Sequence, residues 1–279
     1  MRSEFARGLL CVSCLLGGCS REVPAERAAL ATREPPTGAA APRASEQASE
    51  RGETSQAAGV AVVELFTSEG CSSCPPADRV LAELAARANA GALPVYTLSF
   101  HVDYWNSLGW RDRFSSSRYS ERQRNYSAIS ARGGVYTPQI VVNGEQECVG
   151  SNAARIDSLV DTALEHQART RIALEATRGA HVIEVNYEVT GDTQARVLNL
   201  ALVEPRADSQ VERGENAGNH LTHVNVVRLF TTRALSAGTS GHWSAPAGPE
   251  FDARPVGVVA YAERAAQRDI SGAAALELK

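Results

Sequence analysis

Apolar and polar positions after residue 58 follow a strand, a helix and a second strand. Residues 60–67 form an almost continuous apolar run, which is typical of a buried strand. Residues 77–89 carry apolar side chains at helical spacing, with Leu81 and Leu84 on one face. Residues 93–102 form another apolar run and predict the second strand.

The next part of the chain adds two predicted helices and a hairpin. A polar and aromatic segment leads into a predicted helix over residues 116–129. Residues 139–142 form a short strand that ends in Asn143-Gly144, a strong signal for a tight hairpin. Residues 152–169 predict an amphipathic helix. The order of these elements predicts an α/β domain.

From residue 171 the pattern becomes strand-like, with alternating apolar and polar positions between turn residues. The predicted strands cover residues 172–177, 181–190, 195–204, 224–231, 255–263 and 273–278. Because no clear helix interrupts them, they predict a C-terminal antiparallel β-sandwich-like domain over residues 171–279, after an α/β domain over residues 59–170. Residues 213–219 lie between strands and contain two glycines, so we interpret them as a turn.

The first 58 residues lack the pattern of a folded domain. Residues 1–19 are similar to a lipoprotein-type signal peptide, with a short apolar run that ends in Leu16-Gly17-Gly18-Cys19. The resemblance implies cleavage before Cys19 and lipidation of that cysteine, with ordinary signal cleavage nearby as the alternative. Residues 20–58 are rich in Ala, Pro, Glu, Arg, Ser and Thr, which predicts a disordered linker.

The charge of the chain argues against a nucleic-acid partner. The formal net charge is −4, with 28 basic and 32 acidic residues, and no run is strongly basic. Binding to nucleic acid is dominated by a basic surface that neutralises phosphates. We therefore expect no nucleic acid among the partners.

The cysteines indicate a disulfide in an exported protein. Of the six cysteines, Cys11 and Cys14 lie in the predicted signal segment, and Cys19 is the candidate lipid site. Cys71, Cys74 and Cys148 then remain in the folded part. In an oxidising compartment a closely spaced pair such as Cys71 and Cys74 normally forms a disulfide, which leaves Cys148 outside the pair.

The Cys71-Ser72-Ser73-Cys74 motif lies between a predicted strand and a predicted helix, as a redox motif requires. A helix N-terminus favours a thiolate, and a thiolate attacks a disulfide to form a mixed disulfide that a second cysteine resolves. We expect Cys71 to be the exposed nucleophile and Cys74 the partly buried resolving thiol. A static disulfide and a metal site that adds His101, Asp103 or Cys148 are the alternatives.

Residues 134–144, with Thr137-Pro138 before a strand and a tight hairpin, are similar to the segment of thioredoxins that contains a cis-proline. This resemblance implies that Thr137 and Pro138 pack against Cys71 and hold a substrate by its backbone. It also implies that Glu64, on the strand before the motif, takes a proton from the resolving thiol.

The segment after the second predicted strand contains further candidate site residues. One interpretation places His101 and Asp103 at the rim of the cysteine pocket, with Tyr104, Trp105 and Trp110 as an aromatic wall. The alternative is a loop capped by Asp103, whose aromatic side chains pack over the edge of the sheet.

Longer segments resemble one family specifically. They are VELFTSEGCSSCPPAD, FHVDYWNSLGW, RQRNY, VYTPQIVVNG, VERGENAGNHLTHVNVVR and ISGAAALEL, spread over residues 60–279. They are similar to an uncharacterised family of secreted bacterial thioredoxin-like proteins. The resemblance implies a thioredoxin-like fold for residues 59–170 and does not define a reaction.

We expect an exported protein that catalyses thiol–disulfide exchange, in which Cys71 attacks, Cys74 resolves, and Thr137 with Pro138 shapes the substrate groove. The expected substrates are exported proteins that carry a thiol or disulfide, or small thiols, and a separate redox partner recycles the pair. We expect no dissociable cofactor.

The expected location is the periplasmic face of the cell envelope, with membrane contact only through a lipid on Cys19 and the outer membrane as the favoured site. A soluble periplasmic or secreted protein is the alternative. The alternatives in function are a non-enzymatic envelope scaffold with a structural disulfide and a copper-binding or other metal-binding thiol protein.

Overall fold

The structure is a computed structural model that describes residues 49–53 (backbone only), 59–127, 133–252 and 254–278, without the Glu250 side chain. These residues belong to one compact unit. The predicted signal segment, its Cys19 and most of the predicted linker lie outside the described residues. The exception is the strand β1 (Ser49–Glu53), which falls within the predicted linker.

A mixed sheet of eight strands forms the larger part of the fold. In spatial order its strands are β12 (Ile270–Leu278), β11 (Val256–Arg264), β8 (Arg196–Gln210), β9 (His220–Ala234), β3 (Val95–His101), β2 (Ala61–Thr67), β4 (Gln139–Val142) and β5 (Gln146–Val149). Strand β3 is parallel to β2 and to β9, and the other neighbours are antiparallel.

A smaller antiparallel sheet packs with the C-terminal part of the large one. Its order is β1, β6 (Thr170–Gly179), β7 (Val182–Gly191) and β10 (Ser240–Pro246). Three α-helices occur among the described residues: α1 (Pro75–Gly91), α2 (Ser117–Ser127) and α3 (Ala153–Glu165). They confirm the three predicted helices.

The predicted fold class, an α/β thioredoxin-like domain followed by a separate antiparallel β-sandwich-like domain, is wrong. The protein is mostly β, and β9 pairs with β3 through Ser99 and Val226, so strands from both halves of the chain form one curled sheet. Apolar spacing predicts single strands, whereas their neighbours depend on contacts between distant residues. The predicted boundary at residue 170 is the first residue of β6.

Strand β2 is buried on both faces because the sheet is covered on both sides. Successive side chains of a strand point to opposite faces. Val63 and Leu65 pack with α1 and α3, whereas Val62 and Phe66 pack with residues of α2 and β11. The strand therefore holds the motif that follows it in a fixed position.

Gly144→Ala is expected to lower the free energy of unfolding by about 1–3 kcal/mol. Gly144 has a φ of +73°, and a Cβ there would lie 2.1 Å from the Arg268 carbonyl oxygen. Gly133→Ala is the matched control, because Gly133 has a φ of +60° and no described atom lies within 4 Å of its Cβ position. Urea unfolding measures both variants, and equal losses would contradict the predicted clash.

Candidate functional site

Cys71 and Cys74 form a disulfide in the segment between β2 and α1. Their Cα atoms are 5.4 Å apart. The Cys74 amide donates to the Cys71 carbonyl oxygen at 3.1 Å, which closes a turn before the helix. Cys74 is the N-cap residue of α1, so it lies nearer the helix than Cys71 does.

The helix start offers few free donors to a thiolate. Pro75 and Pro76 occupy its first two positions and have no N–H group. The next two amides, those of Ala77 and Asp78, donate to the Cys74 carbonyl oxygen at 2.8 and 3.1 Å. Donors for a Cys71 thiolate must therefore come from the motif itself and from neighbouring loops.

The Thr137–Pro138 loop supplies one such donor. The peptide bond between these residues is cis. The Thr137 hydroxyl donates to Cys71 Sγ at 3.3 Å and accepts a hydrogen bond from Trp105 Nε1 at 2.8 Å. Ser73 Oγ lies 3.3 Å from the same sulfur. The structure thus brings Thr137, which precedes Pro138, directly to Cys71, and Trp105 to that same hydroxyl.

The expected exposure of Cys71 is wrong, because both cysteines are fully buried. Trp105 packs so closely on Gly70 that a Cβ at position 70 would lie 3.2 Å from the Trp105 Cβ. Ser72 and Ser73, between the cysteines, are exposed. A thiol that reacts with Cys71 must therefore enter beside the serines and displace local contacts.

A loop from the second half of the chain is fixed to the motif. This loop consists of residues 211–219 and joins β8 to β9; we call it the 211–219 loop. Asn216 Nδ2 donates to the carbonyl oxygens of Glu69 and Cys71 at 2.8 and 3.0 Å. Glu215 Oε2 accepts from the Ser72 amide at 3.0 Å. The segment interpreted as a turn therefore also holds the backbone around Cys71.

Five buried ionisable side chains lie next to the motif and form what we call the acid–histidine cluster: Glu69, Asp78, His101, Asp112 and His223. His101 Nδ1 lies 2.7 Å from Asp112 Oδ2, which also accepts from the Glu69 amide at 2.9 Å. His223 Nε2 lies 3.7 Å from Glu69 Oε1, and its Nδ1 lies 3.6 Å from Asp78 Oδ2. The His101 and His223 rings meet edge to face, with their centroids 4.7 Å apart.

Charge pairing outweighs burial in this cluster. Burial lowers the pKa of His223, but Asp78 and Glu69 raise that pKa to about 10. Burial raises the pKa of Glu69, yet His223 brings it below its ordinary value. Burial also raises the pKa of Asp112, and the attraction of His101 brings it below its ordinary value. At neutral pH, His223 is therefore an imidazolium held between two carboxylates.

The other predicted rim residues have separate contacts. His101 is buried in the cluster. Asp103 Oδ1 accepts from the Ser120 hydroxyl at 2.5 Å, which ties the loop to α2. The Tyr104 hydroxyl donates to Gln123 Oε1 at 3.1 Å. Of the expected rim, Trp105 contacts the cysteine pocket through Thr137, whereas Asp103 has the contact expected of a capped loop.

Glu64, the expected proton acceptor, lies on the opposite face of β2 from α1. Its Oε1 accepts from Arg122 Nε at 3.1 Å, from Arg122 Nη2 at 2.7 Å and from the Tyr261 hydroxyl. Arg122 Nη2 also lies 3.0 Å from Glu263 Oε2. We call these four residues the Arg122 network. It gives the Glu64 carboxylate buried partners on the side of the sheet away from the disulfide.

The remaining alternatives concern metal and Cys148. No group of three or more His, Cys, Asp or Glu side chains is arranged to hold a metal ion in the part of the chain that the structure describes. Cys148 is buried on β5 and packs in the same apolar cluster as Leu65 and Ile156.

Several residues at the site were missed by sequence reasoning. Glu69 and Asp78 stand within four residues of the cysteines, so their proximity in the chain was an available signal. Glu215, Asn216 and His223 are more than 140 residues away, and no spacing rule connects them to the motif. The glycines of the 211–219 loop indicated a turn, which gave no sign of its contacts.

No helix among the described residues is long and apolar enough to cross a membrane.

A search of curated proteins finds no match. The crystal structure of a protein from Agrobacterium tumefaciens is similar in fold, with a TM-score of 0.57 and 27% sequence identity over 79% of this chain and 94% of that chain.

The profile of a family described as protein of unknown function (DUF1223) matches residues 62–263, which is most of the chain. The match includes the cysteine motif, the Thr137–Pro138 loop, the 211–219 loop and the acid–histidine cluster. It confirms the expectation of an uncharacterised family. The chain therefore belongs to the DUF1223 family.

Proposed function

We propose that this protein catalyses thiol–disulfide exchange through Cys71 and Cys74. The observation that carries the proposal is the hydrogen bond from the Thr137 hydroxyl to Cys71 Sγ, at 3.3 Å. Trp105 Nε1 donates to the same hydroxyl oxygen, which orients its hydrogen toward the sulfur. A donor oriented in this way stabilises a thiolate more than a disulfide sulfur, because hydrogen bonds to charged acceptors are stronger.

The reaction proceeds in two balanced steps. A substrate thiolate, RS⁻, attacks Cys71 Sγ, the Cys71–Cys74 bond breaks, and Cys74 leaves as a thiolate that takes up a proton. A second substrate thiolate then attacks the RS sulfur of the mixed disulfide and releases Cys71 as a thiolate, together with RSSR. Two electrons pass from the two substrate thiols to the protein. The reverse sequence oxidises the Cys71–Cys74 dithiol and reduces RSSR to two thiols.

Burial of the disulfide favours a second candidate, a structural cross-link. Both cysteines are fully buried, and buried disulfides are poorly accessible to thiols. However, this disulfide closes a short loop, with a sequence separation of 3. Loop-closure entropy for such a loop accounts for only about 2 kcal/mol of stability. The two candidate functions therefore predict different behaviour: a pair that exchanges thiols is reduced readily by glutathione, whereas a structural cross-link resists reduction.

A redox titration separates the two candidates. The starting protein is the full chain with Cys11, Cys14 and Cys19 replaced by serine, which leaves Cys71, Cys74 and Cys148. We call it the three-cysteine form. Equilibration with reduced and oxidised glutathione is expected to give a reversible dithiol–disulfide transition, between about −270 and −120 mV as in known oxidoreductases.

Single substitutions assign the roles of the two cysteines. In the three-cysteine form, Cys74→Ser is expected to accumulate a mixed disulfide with glutathione, because no second thiol resolves it. Cys71→Ser is expected to accumulate none at Cys74. Mass spectrometry of peptides measures both. A disulfide that glutathione does not reduce, together with unfolding when a stronger reductant breaks it, would overturn the proposal in favour of the cross-link.

A further inference from the structure

The 211–219 loop is attached to the motif on both sides of Cys71. Asn216 binds the carbonyl oxygens of Glu69 and Cys71, and Glu215 binds the Ser72 amide. Gly214 lies against Trp110, so closely that a Cβ at position 214 would lie 3.1 Å from the Trp110 Cβ. These contacts fix the position of the Glu215 carboxylate relative to the disulfide.

The amide that Glu215 occupies belongs to the residue directly after Cys71, and the amide of Cys71 itself donates to the Ser68 carbonyl oxygen at 3.1 Å. Pro75 and Pro76 remove two amides from the start of α1, and those of Ala77 and Asp78 bind Cys74. The Ser72 amide, which belongs to the peptide unit directly after Cys71, is used by a carboxylate from a distant strand connection. The amide directly after Cys71 is therefore bound to a negative charge and is not available as a donor to a Cys71 thiolate.

This charge opposes the charge that reduction creates. Glu215 is exposed, and its hydrogen bonds with Ser72 lower its pKa, so it is ionised at neutral pH. Like charges close together disfavour the ionised form of each, which raises the pKa of a neighbouring thiol. The charged groups of the acid–histidine cluster, which also lie beside the motif, are unchanged by a substitution at position 215.

We propose that Glu215 is a positioning residue that holds the Cys71–Cys74 pair toward its disulfide state. It does so by occupying the Ser72 amide, directly after Cys71, with a negative charge. The inference rests on the proposed function, in which two thiols RSH reduce the pair to two thiols and leave as RSSR. Glu215 makes the Cys71 thiolate of that exchange less stable and leaves the disulfide state, which carries no charge, almost unaffected.

Glu215→Gln tests the charge, because glutamine keeps an oxygen that can accept from Ser72. In the three-cysteine form, the equilibrium with glutathione at pH 8 is expected to shift threefold to tenfold toward the dithiol. That shift equals about 14 to 30 mV for a two-electron couple. The pKa of Cys71 in the reduced protein, followed by the pH dependence of alkylation, is expected to fall.

Glu212→Gln is the matched control, since it removes the same charge from an exposed position of the same loop. It is expected to leave the equilibrium and the pKa of Cys71 close to their starting values. The difference between the two variants should shrink in 1 M salt, where screening acts over about 3 Å. A merely structural role of Glu215 would give no such salt dependence.

Two results would overturn the inference: equal equilibria for Glu215→Gln and Glu212→Gln, or a difference that salt does not reduce. Either result can occur in a protein that still exchanges thiols and traps glutathione on Cys71, in which case the proposed function stands. Conversely, a pair that glutathione does not reduce would refute the proposed function. The charge effect of Glu215 would then be retained if Glu215→Gln still lowers the pKa of Cys71 in a salt-sensitive way after a stronger reductant opens the disulfide.

Discussion

Arg122→Met is expected to lower the free energy of unfolding by about 3–5 kcal/mol. The Arg122 side chain is only 8% exposed and binds Glu64 and Glu263, whose side chains are each 1% exposed. Methionine fills part of the space and leaves the buried Glu64 carboxylate without its cation, whereas Glu263 keeps Arg268, whose Nη1 lies 2.8 Å from Glu263 Oε1. Removal of one partner lowers stability far more than an intact buried ion pair raises it, because the other charge then stays buried without a counter-ion.

Urea unfolding of the purified protein measures this loss. Arg87→Met is the matched control, because Arg87 forms an ion pair with Asp157 at 2.5 Å with side chains 59% and 42% exposed. Such an exposed pair contributes at most about 1 kcal/mol. If Arg122→Met does not fold, Arg122→Lys keeps the charge and gives a smaller loss that can be measured. A loss no larger than that of the Arg87 control would contradict the importance of the Arg122 network.

His223→Gln is expected to remove a large part of the pH dependence of stability between pH 6.5 and 10. The pKa of His223 is raised to about 10 in the folded protein, against about 6.5 in an unfolded chain. The folded state therefore holds a proton that the unfolded state has released within this range. Stability from the ionic contacts with Asp78 and Glu69 is complete below pH 6.5 and is lost as the pH rises toward 10.

Each unit of this shift corresponds to about 1.4 kcal/mol, so the decline in the unmodified protein should reach several kcal/mol. Urea unfolding at intervals from pH 6 to pH 10 measures it, and His223→Gln should be less stable at pH 6 with a much flatter profile. His220→Gln, at an exposed position on the same strand, is the control and should keep the decline.

A direct measurement covers the case in which His223→Gln does not fold. Nuclear magnetic resonance of the unmodified protein should show the His223 imidazole still protonated at pH 8. An imidazole that loses its proton below pH 7 would contradict the ionic contacts with Asp78 and Glu69. The same spectra report whether reduction of the disulfide disturbs the acid–histidine cluster.

Helices and most strands follow from local sequence. The apolar spacing of residues 77–89 and 152–169 predicts α1 and α3 because a helix repeats its buried face every three to four residues. Strand β10 (Ser240–Pro246) was missed, since it has only two buried apolar side chains, Trp243 and Ala245, among small and polar residues. Its register against β7, with Trp243 opposite Val185, depends on a neighbour and not on its own pattern.

The candidate site also combines features that local sequence predicts with contacts that it does not predict. The position of Cys71 and Cys74 between a strand and a helix is a local property, and the resemblance of residues 134–144 indicated their approach to Thr137 and Pro138. Sequence alone gave no reason to place Glu215 at the Ser72 amide. It also placed Glu64 beside the cysteines, whereas the alternation along β2 directs that side chain to the opposite face.

The sequence by itself determined where this chain forms its helices, most of its strands and the disulfide turn, because those features depend on residues a few positions apart. The tertiary structure alone decided that β9 pairs with β3 and that the two halves share one sheet. That pairing brings His223 and the 211–219 loop to the motif from more than 140 residues away. Such contacts are set by the packing of the whole sheet, which no local periodicity encodes.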